Sequence, residues 1–264
     1  MVALAVIGKT ADFRPANVIG VWLRHFTAFK RGYLIETTAI VVEPVFILLA
    51  VGFGVGQLVG QLADVSYAEF VAPGIVVGNA MWHALFECSW GAYRRMQIHK
   101  IYESLLTAPV NMRELAGGEI AWGATRAVMT TVAVLAVAAA LGLIGSPMGL
   151  GVILVGALTG LMFGSLGLVF ASVAPTTHSL TLVFTLVGTP LFFFSGAFFP
   201  ISSLPSYLQP VAWAMPLTPA VQAARGFATG SVGVQEVLAL AYLAGLTLLF
   251  YPLATYLLRR RLIA

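Results

Sequence analysis

The sequence predicts an all-α integral membrane protein: six transmembrane helices, an N-terminal interfacial helix, one helix in a cytoplasmic loop, and short outer half-helices between spans five and six. Three observations carry this reading. Hydrophobic residues fill 59% of the 264 positions and charged residues only 9%, whereas a soluble domain has about 25% charged residues to wet its surface. Six apolar runs are long enough to cross a bilayer as helices, which takes roughly 18 residues. The lysines and arginines flank these runs, so the net charge of +4 and the pI near 9.4 report topology and not a nucleic-acid surface.

Residues 1–36 form the cytoplasmic N-terminus, and 37–264 form the six-span domain. The first seven residues are short and apolar and lead into Lys9, Arg14, Arg24, Lys30 and Arg31, which is not the layout of a cleavable signal peptide. Residues 17–32 are too charged to cross the membrane. Val18, Trp22, Phe26 and Phe29 nevertheless recur at helical spacing, with Arg24, Lys30 and Arg31 elsewhere on the circumference. That pattern predicts an interfacial helix along the inner leaflet; the alternative is a lead-in that only orients span one.

The spans are expected near 37–59, 71–92, 119–143, 148–173, 180–199 and 234–258. Basic residues settle their direction, because basic loops stay on the cytoplasmic side. Twelve of the 14 lie in the N-terminus, in the loop after span two (Arg94, Arg95, Lys100, Arg113) or at the end (Arg259, Arg260, Arg261). The first outer loop holds the acids Asp64 and Glu69 instead. Both termini are therefore expected in the cytoplasm.

Residues 93–115 form the sizeable cytoplasmic loop. Ile98, Ile101 and Leu105 recur at spacings of three and four among basic residues, the pattern of a helix that docks in a groove of a soluble partner. Pro109 ends it. The bland reading is a solvated basic loop.

The outer segment 200–228 carries Pro200, Pro205, Pro210, Pro216 and Pro219. Prolines favour first-turn positions, so half-helices are expected at 203–213 and 218–227, the second capped by Thr218. Irregular backbone there must be covered by protein or sit at the water interface. With Phe198, Phe199 and Pro200 at its start, the segment reads as an outer gate or as a static cap.

Glycine rows at Gly52, Gly56 and Gly60 and at Gly156, Gly160 and Gly164 let helix backbones approach closely, either within one chain or between two. Glu43, Glu87 and Arg126 fall at similar depth, roughly 8–11 Å from the inner ends of their spans at 1.5 Å per residue. Isolated charges there are costly, so these three are expected to pair, as a structural cluster or as a foothold for a substrate headgroup.

No catalytic, cofactor or metal site is expected. Cys88 is the sole cysteine, which excludes an internal disulfide and a multi-thiolate metal site. His25, His83, His99 and His178 are scattered. Residues 3–10 mimic a phosphate loop ending in Lys9 and Thr10, without the strand and glycine turns such a loop needs. Ser165 beside Gly164 and Gly167 is better explained by helix packing than by a serine nucleophile with His178.

The pattern resembles the membrane subunit of a type-2 ABC exporter. The residues that carry the resemblance are Glu43-Pro44 opening a glycine-rich stretch, Tyr102-Glu103-Ser104-Leu105-Leu106-Thr107-Ala108-Pro109, Phe194-Ser195-Gly196-Ala197-Phe198-Phe199-Pro200 with Leu204-Pro205, Pro216-Leu217-Thr218 with Arg225, and the ending Leu257-Leu258-Arg259-Arg260-Arg261-Leu262. Within that class it is most similar to the J-type nodulation permeases, exporters of lipo-oligosaccharide, with drug- and polysaccharide-export permeases as relatives. The resemblance implies a non-catalytic half-transporter that pairs with a second copy of itself. It also implies two separate cytoplasmic ATPase subunits, which hold the ATP and magnesium. Residues 101–107 would be the coupling helix, with Ile98, Ile101, Tyr102, Glu103 and Leu105 as ATPase-docking residues. An amphipathic substrate or membrane lipid would enter beside Trp22 and Phe26. The rival reading is an ion-coupled secondary transporter working through Glu43 or Glu87; such proteins often carry inverted repeats, and no repeat joins the two halves.

Overall fold

The computed structural model describes residues 13–62, 65–105 and 107–263. The phosphate-loop mimic with Lys9 lies outside these residues, as do Asp64 and Leu106. Helix α1 (Pro15–Arg31) starts with a proline at its first position and carries Lys30 and Arg31 in its last turn, the signs that suit a helix dipole. Helix α2 runs from Tyr33–Ile47 through a π-helical stretch, Leu48–Val55, to Gly56–Val59. Ile40, Pro44, Leu48 and Gly52, four residues apart and so on one face, make one buried stripe. Gly60, at φ +73°, then turns the chain into a short antiparallel hairpin, β1 (Gln61–Leu62) and β2 (Val65–Ser66).

Among the described residues five helices are long and apolar enough to cross a membrane: Ile40–Val59, Met112–Ala140, Pro147–Val173, Thr177–Phe194 and Val234–Ile263. Expected span two falls short of that hydropathy because Asn79, His83, Trp82 and its glycines dilute it. It is helix α3 (Tyr67–Phe86), opened by a Ser66/Glu69 capping box and prolonged by π turns at Glu87–Gly91 and Arg94–Ile98. Sixteen of the twenty residues of Tyr67–Phe86 are buried, which makes α3 the hub of the bundle.

After the short helix α4 (Ile101–Leu105) come α5 (Met112–Ala140) and, behind a 3-10 turn at Pro147–Gly151, α6 (Val152–Val173). The glycine row of α6 is used inside the chain. A Cβ on Gly160 would lie 2.8 Å from the Ala124 backbone, and one on Gly167 would lie 2.9 Å from the Leu85 carbonyl oxygen. In α2, Gly52 faces Ala68 and Gly56 faces Tyr67 in the same way.

Helix α7 (Thr177–Val183, Phe184–Gly188, Thr189–Phe194) again contains a π stretch. Of the outer half-helices the first is shorter than expected, a 3-10 turn at Ile201–Ser203 and then α8 (Gln209–Ala214), whereas the second, α9 (Leu217–Thr229), spans the whole of the expected 218–227. Pro205 holds Leu204 extended, so no helix runs from 203. Thr218 is not the cap; it lies inside the first turn and its hydroxyl donates to the Ala212 carbonyl, tying α9 to α8. Helix α10 (Val234–Ile263) closes the bundle. Its Arg261 donates to the carbonyls of Ala171, Ser172 and Ala174, satisfying the C-terminal end of α6 with a cation where the dipole favours one.

Candidate functional site

The inner end of α5 carries two buried acids, and between them they hold the interfacial helix. Glu114 completes a capping box with Asn111 and also accepts from the backbone N–H of Arg14 (2.6 Å) and from the Asn17 amide (2.7 Å). One turn and a half deeper, Glu119 is fully enclosed. Its Oε1 accepts from His25 Nε2 at 2.9 Å and Arg24 Nη2 at 3.3 Å, and its Oε2 accepts from Arg95 Nη2 at 2.7 Å. His25 is the donor in its pair, because an ionised carboxylate only accepts. Arg95 reaches on to Glu87, donating to its Oε1 at 2.7 Å and its carbonyl at 3.1 Å. Buried charges survive when paired and hydrogen-bonded in this manner.

Tyr102, in the loop 93–115, lies beside this network, although its hydroxyl makes no hydrogen bond to it. Lys100, at φ +53°, ends α3 and starts α4. Tyr102 turns inward, wholly buried among Met96, Met112, Leu115 and Leu258. Its phenol faces Glu119 and Arg95, and burial together with the Glu119 charge pushes its pKa well above the usual range, so it stays a neutral hydroxyl. Four elements (α1, α3, α4 and α5) therefore meet around one carboxylate.

The expected docking residues divide. The break at Lys100 removes Ile98 from the helix of Ile101 and Leu105, so the three do not share a face. Ile98 is 59% exposed. Glu103 is exposed and pairs with Lys100 at 3.0 Å, whereas Tyr102 is buried and Leu105 packs against the inner core.

Glu43, Glu87 and Arg126 are not joined by any ion pair among the described residues. Glu43 is exposed on α2, Glu87 is taken by Arg95, and the Arg126 guanidinium lies 5.6 Å from the Phe29 ring centroid. Trp22, Phe26 and Phe29 face α5: the Trp22 indole donates to Thr125 at 2.9 Å and stacks on Phe26, and Phe29 meets Trp122 edge to face. At the outer end the Phe198 carbonyl accepts from the Tyr67 hydroxyl at 3.0 Å, and Phe199 and Pro200 are half-buried beside it. Among the described residues no group of three or more His, Cys, Asp or Glu is placed to hold a metal ion.

Sequence reasoning missed Glu119, Arg95, Arg24 and His25. Arg24 and Arg95 were counted as topology charges, and Glu119 marked only the start of a span. The available signal was two acids, Glu114 and Glu119, on one apolar helix facing two basic segments.

With this geometry in hand, comparison with known proteins is direct. The family model described as ABC-2 type transporter matches residues 17–228. The chain is 36% identical to Nodulation protein J of Rhizobium leguminosarum bv. trifolii, covering 94% of each chain, and 35% identical to Nodulation protein J of Rhizobium meliloti (strain 1021), covering 93% of this chain and 94% of that one. It is 25% identical to the inner membrane transport permease YadH of Escherichia coli (strain K12), over 82% of this chain and 83% of that one. A family match over most of the chain, with relatives that align nearly end to end, establishes that this protein belongs to the ABC-2 type transporter family.

Proposed function

We propose that the chain is the permease subunit of an ATP-driven exporter, acting as a pair of identical copies with two separate ATPase subunits. It carries an amphipathic lipid-linked or glycolipid substrate, a lipo-oligosaccharide on the resemblance to J-type nodulation permeases, out of the cytoplasm or inner leaflet. With α3 as a sixth span, both termini lie on one side of the inner membrane, and the basic flanks favour the cytoplasmic side. ATP and magnesium belong to the ATPase subunit, and this chain supplies docking and passage.

The observation that carries this reading is Tyr102. A short cytoplasmic helix inserts a buried phenol into the inner apolar core, beside an ionic network shared by the interfacial helix and two long helices, so a push on α4 is delivered to that packed core. Packed cores and ion networks of this kind shift as units. The test is co-expression with a lone ATP-binding subunit, reconstitution of the complex in vesicles, and measurement of ATP-dependent movement of a fluorescent glycolipid. Retention of the subunit with ATP-dependent movement is the expected result. Movement driven by an ion gradient without any ATPase would overturn the reading in favour of a secondary transporter.

A further inference from the structure

Gly160 draws α5 and α6 together, and on the outward side of that seam the neighbouring side chains are too small to close it. A groove of about 330 Å³ remains between Ala121, Thr125, Val128 and Met129 of α5 and Ala157 and Leu161 of α6. Thr125 is the one polar residue of its lining, and that hydroxyl is satisfied: it accepts from the Trp22 indole at 2.9 Å and donates to the Ala121 carbonyl at 2.8 Å. The half-buried Trp22 marks the edge on the α1 side. Ile19, three positions before it on the same helix face, is 56% exposed. Apolar surface therefore continues from the groove onto α1.

The inner end of the same α5 face is positively charged. Glu114, Gly118, Ala121 and Thr125 share one face at helical spacing, and Glu114 lies about 10 Å inward of Ala121 at 1.5 Å per residue. Two exposed arginines flank it: Arg113 on α5 itself, and Arg14, whose backbone N–H donates to Glu114 Oε1 at 2.6 Å. One carboxylate stands against these two cations. It is buried, and its oxygens are already taken by the Asn17 amide and the Asn111 backbone N–H, so the exposed charge at this end is that of the arginines. Val18 and Tyr251, both against Gly117, lie between the charged end and the groove.

We infer that this groove holds one acyl chain of an anionic phospholipid of the inner leaflet, with the phosphate on Arg14 and Arg113. A furrow without free polar groups takes a hydrocarbon chain at no cost in hydrogen bonds, and guanidinium groups match phosphate oxygens bidentately. A zwitterionic head brings its own cation to the same arginines and loses that advantage. The rival occupant of a groove lined by small residues is a helix of a second copy. Charge disfavours it, because a pair with its two-fold axis along the membrane normal sets each copy's Arg14 and Arg113 at the level of the other's. The bound lipid bridges α1 to α5 and α6. It shares with the export reading only the assignment of the inner side.

The test is native mass spectrometry of the full chain in detergent with added phosphatidylglycerol or phosphatidylcholine carrying the same two chains; unfolding temperature is the second readout. Wild type should retain phosphatidylglycerol about tenfold more strongly and unfold at a higher temperature in its presence. Arg14→Gln combined with Arg113→Gln, both at the water surface, should bring phosphatidylglycerol down to the level of phosphatidylcholine. Ala157→Leu fills the groove from α6 and should lower retention of both lipids on the order of tenfold; Ala121→Leu fills it from α5 and replaces that variant if it aggregates. Equal retention of the two lipids by wild type, an unchanged preference in the arginine variant, or undiminished retention in a monodisperse groove variant overturns the site. Separation of paired copies by Ala157→Leu overturns it in favour of a contact between copies. Loss of the bound phosphatidylglycerol during ATP turnover by the complex overturns it in favour of transported cargo.

Discussion

Glu119 on α5 and Arg95 on α3 meet at 2.7 Å, and Glu119 is wholly enclosed while it also accepts from Arg24 and His25. One carboxylate thus answers cations from two other elements. Glu119→Gln strands those charges in a buried site, and breaking a buried pair from one side costs about 3–5 kcal/mol. The expected outcome is a marked fall in the unfolding temperature of the detergent-purified chain. Glu119→Gln combined with Arg95→Met should recover part of it. Single variants as stable as the wild type would show that the network does not hold the helices together.

Arg225 looks in the sequence like a water-facing cation of the outer loop; the structure half-buries it against α3 and the outer bend. Its guanidinium lies 3.8 Å from the Phe70 ring centroid and donates to the Phe70 and Gly196 carbonyls. Burial lowers its pKa to about 10, still well above neutral, so the charge persists. Arg225→Ala leaves two buried carbonyls without their donor, at about 1–3 kcal/mol each, and frees α9 from α3 and from the outer bend. We expect thermal stability to fall by more than for Arg113→Ala, an exposed control, with protease sensitivity appearing within 195–230.

Close helix approach can be tested at Gly160. Its missing Cβ would sit against the Ala124 backbone at 2.8 Å, where no side chain can swing aside. Gly160→Val should part α5 from α6 and cost at least the 1–3 kcal/mol typical of an overpacked core. Gly245→Ala, with open space around it, should match the wild type. Detergent-stable yield and unfolding temperature decide, and equal behaviour of the two variants would contradict the packing described for α6.

Much of the fold was legible because burial in lipid and burial in protein leave different marks. Runs such as Val234–Ile263 announce themselves by hydropathy, and helix α1 by its aromatic spacing. The α3 hub is less apolar because protein and not lipid surrounds it, and the same enclosure makes room for Asn79, His83 and Glu87. The ionic network was illegible for a different reason. Arg95 and Glu119 are 24 positions apart and Arg24 is further still, so only the fold brings them together. The break at Lys100 was also hidden, since Ile98, Ile101 and Leu105 keep helical spacing across a residue whose backbone leaves the helix.

That break changes which residues test docking on the ATPase. Replacing Ile101 and Leu105 with aspartate would put a charge against the inner core, where Leu105 packs, so lost retention and lost folding would coincide. Ile98→Asp together with Glu103→Arg avoids this. Both side chains point outward, and the Lys100 to Glu103 pair is a surface contact of little value to stability, about 0–1 kcal/mol. Yield and unfolding temperature should stay near wild type. If the outward face of α4 and the end of α3 contact the ATPase, losing Ile98 burial alone removes about 1.5–3 kcal/mol, a fall in affinity of roughly ten- to a hundredfold. The reversed charge at Glu103 adds to that loss. The paired measurement is detergent-stable yield and retention of the ATPase subunit in a pull-down from the co-expressed complex. Normal yield with lost retention places docking on this face; normal retention with normal export would mean that α4 is anchored by Tyr102 for stability alone.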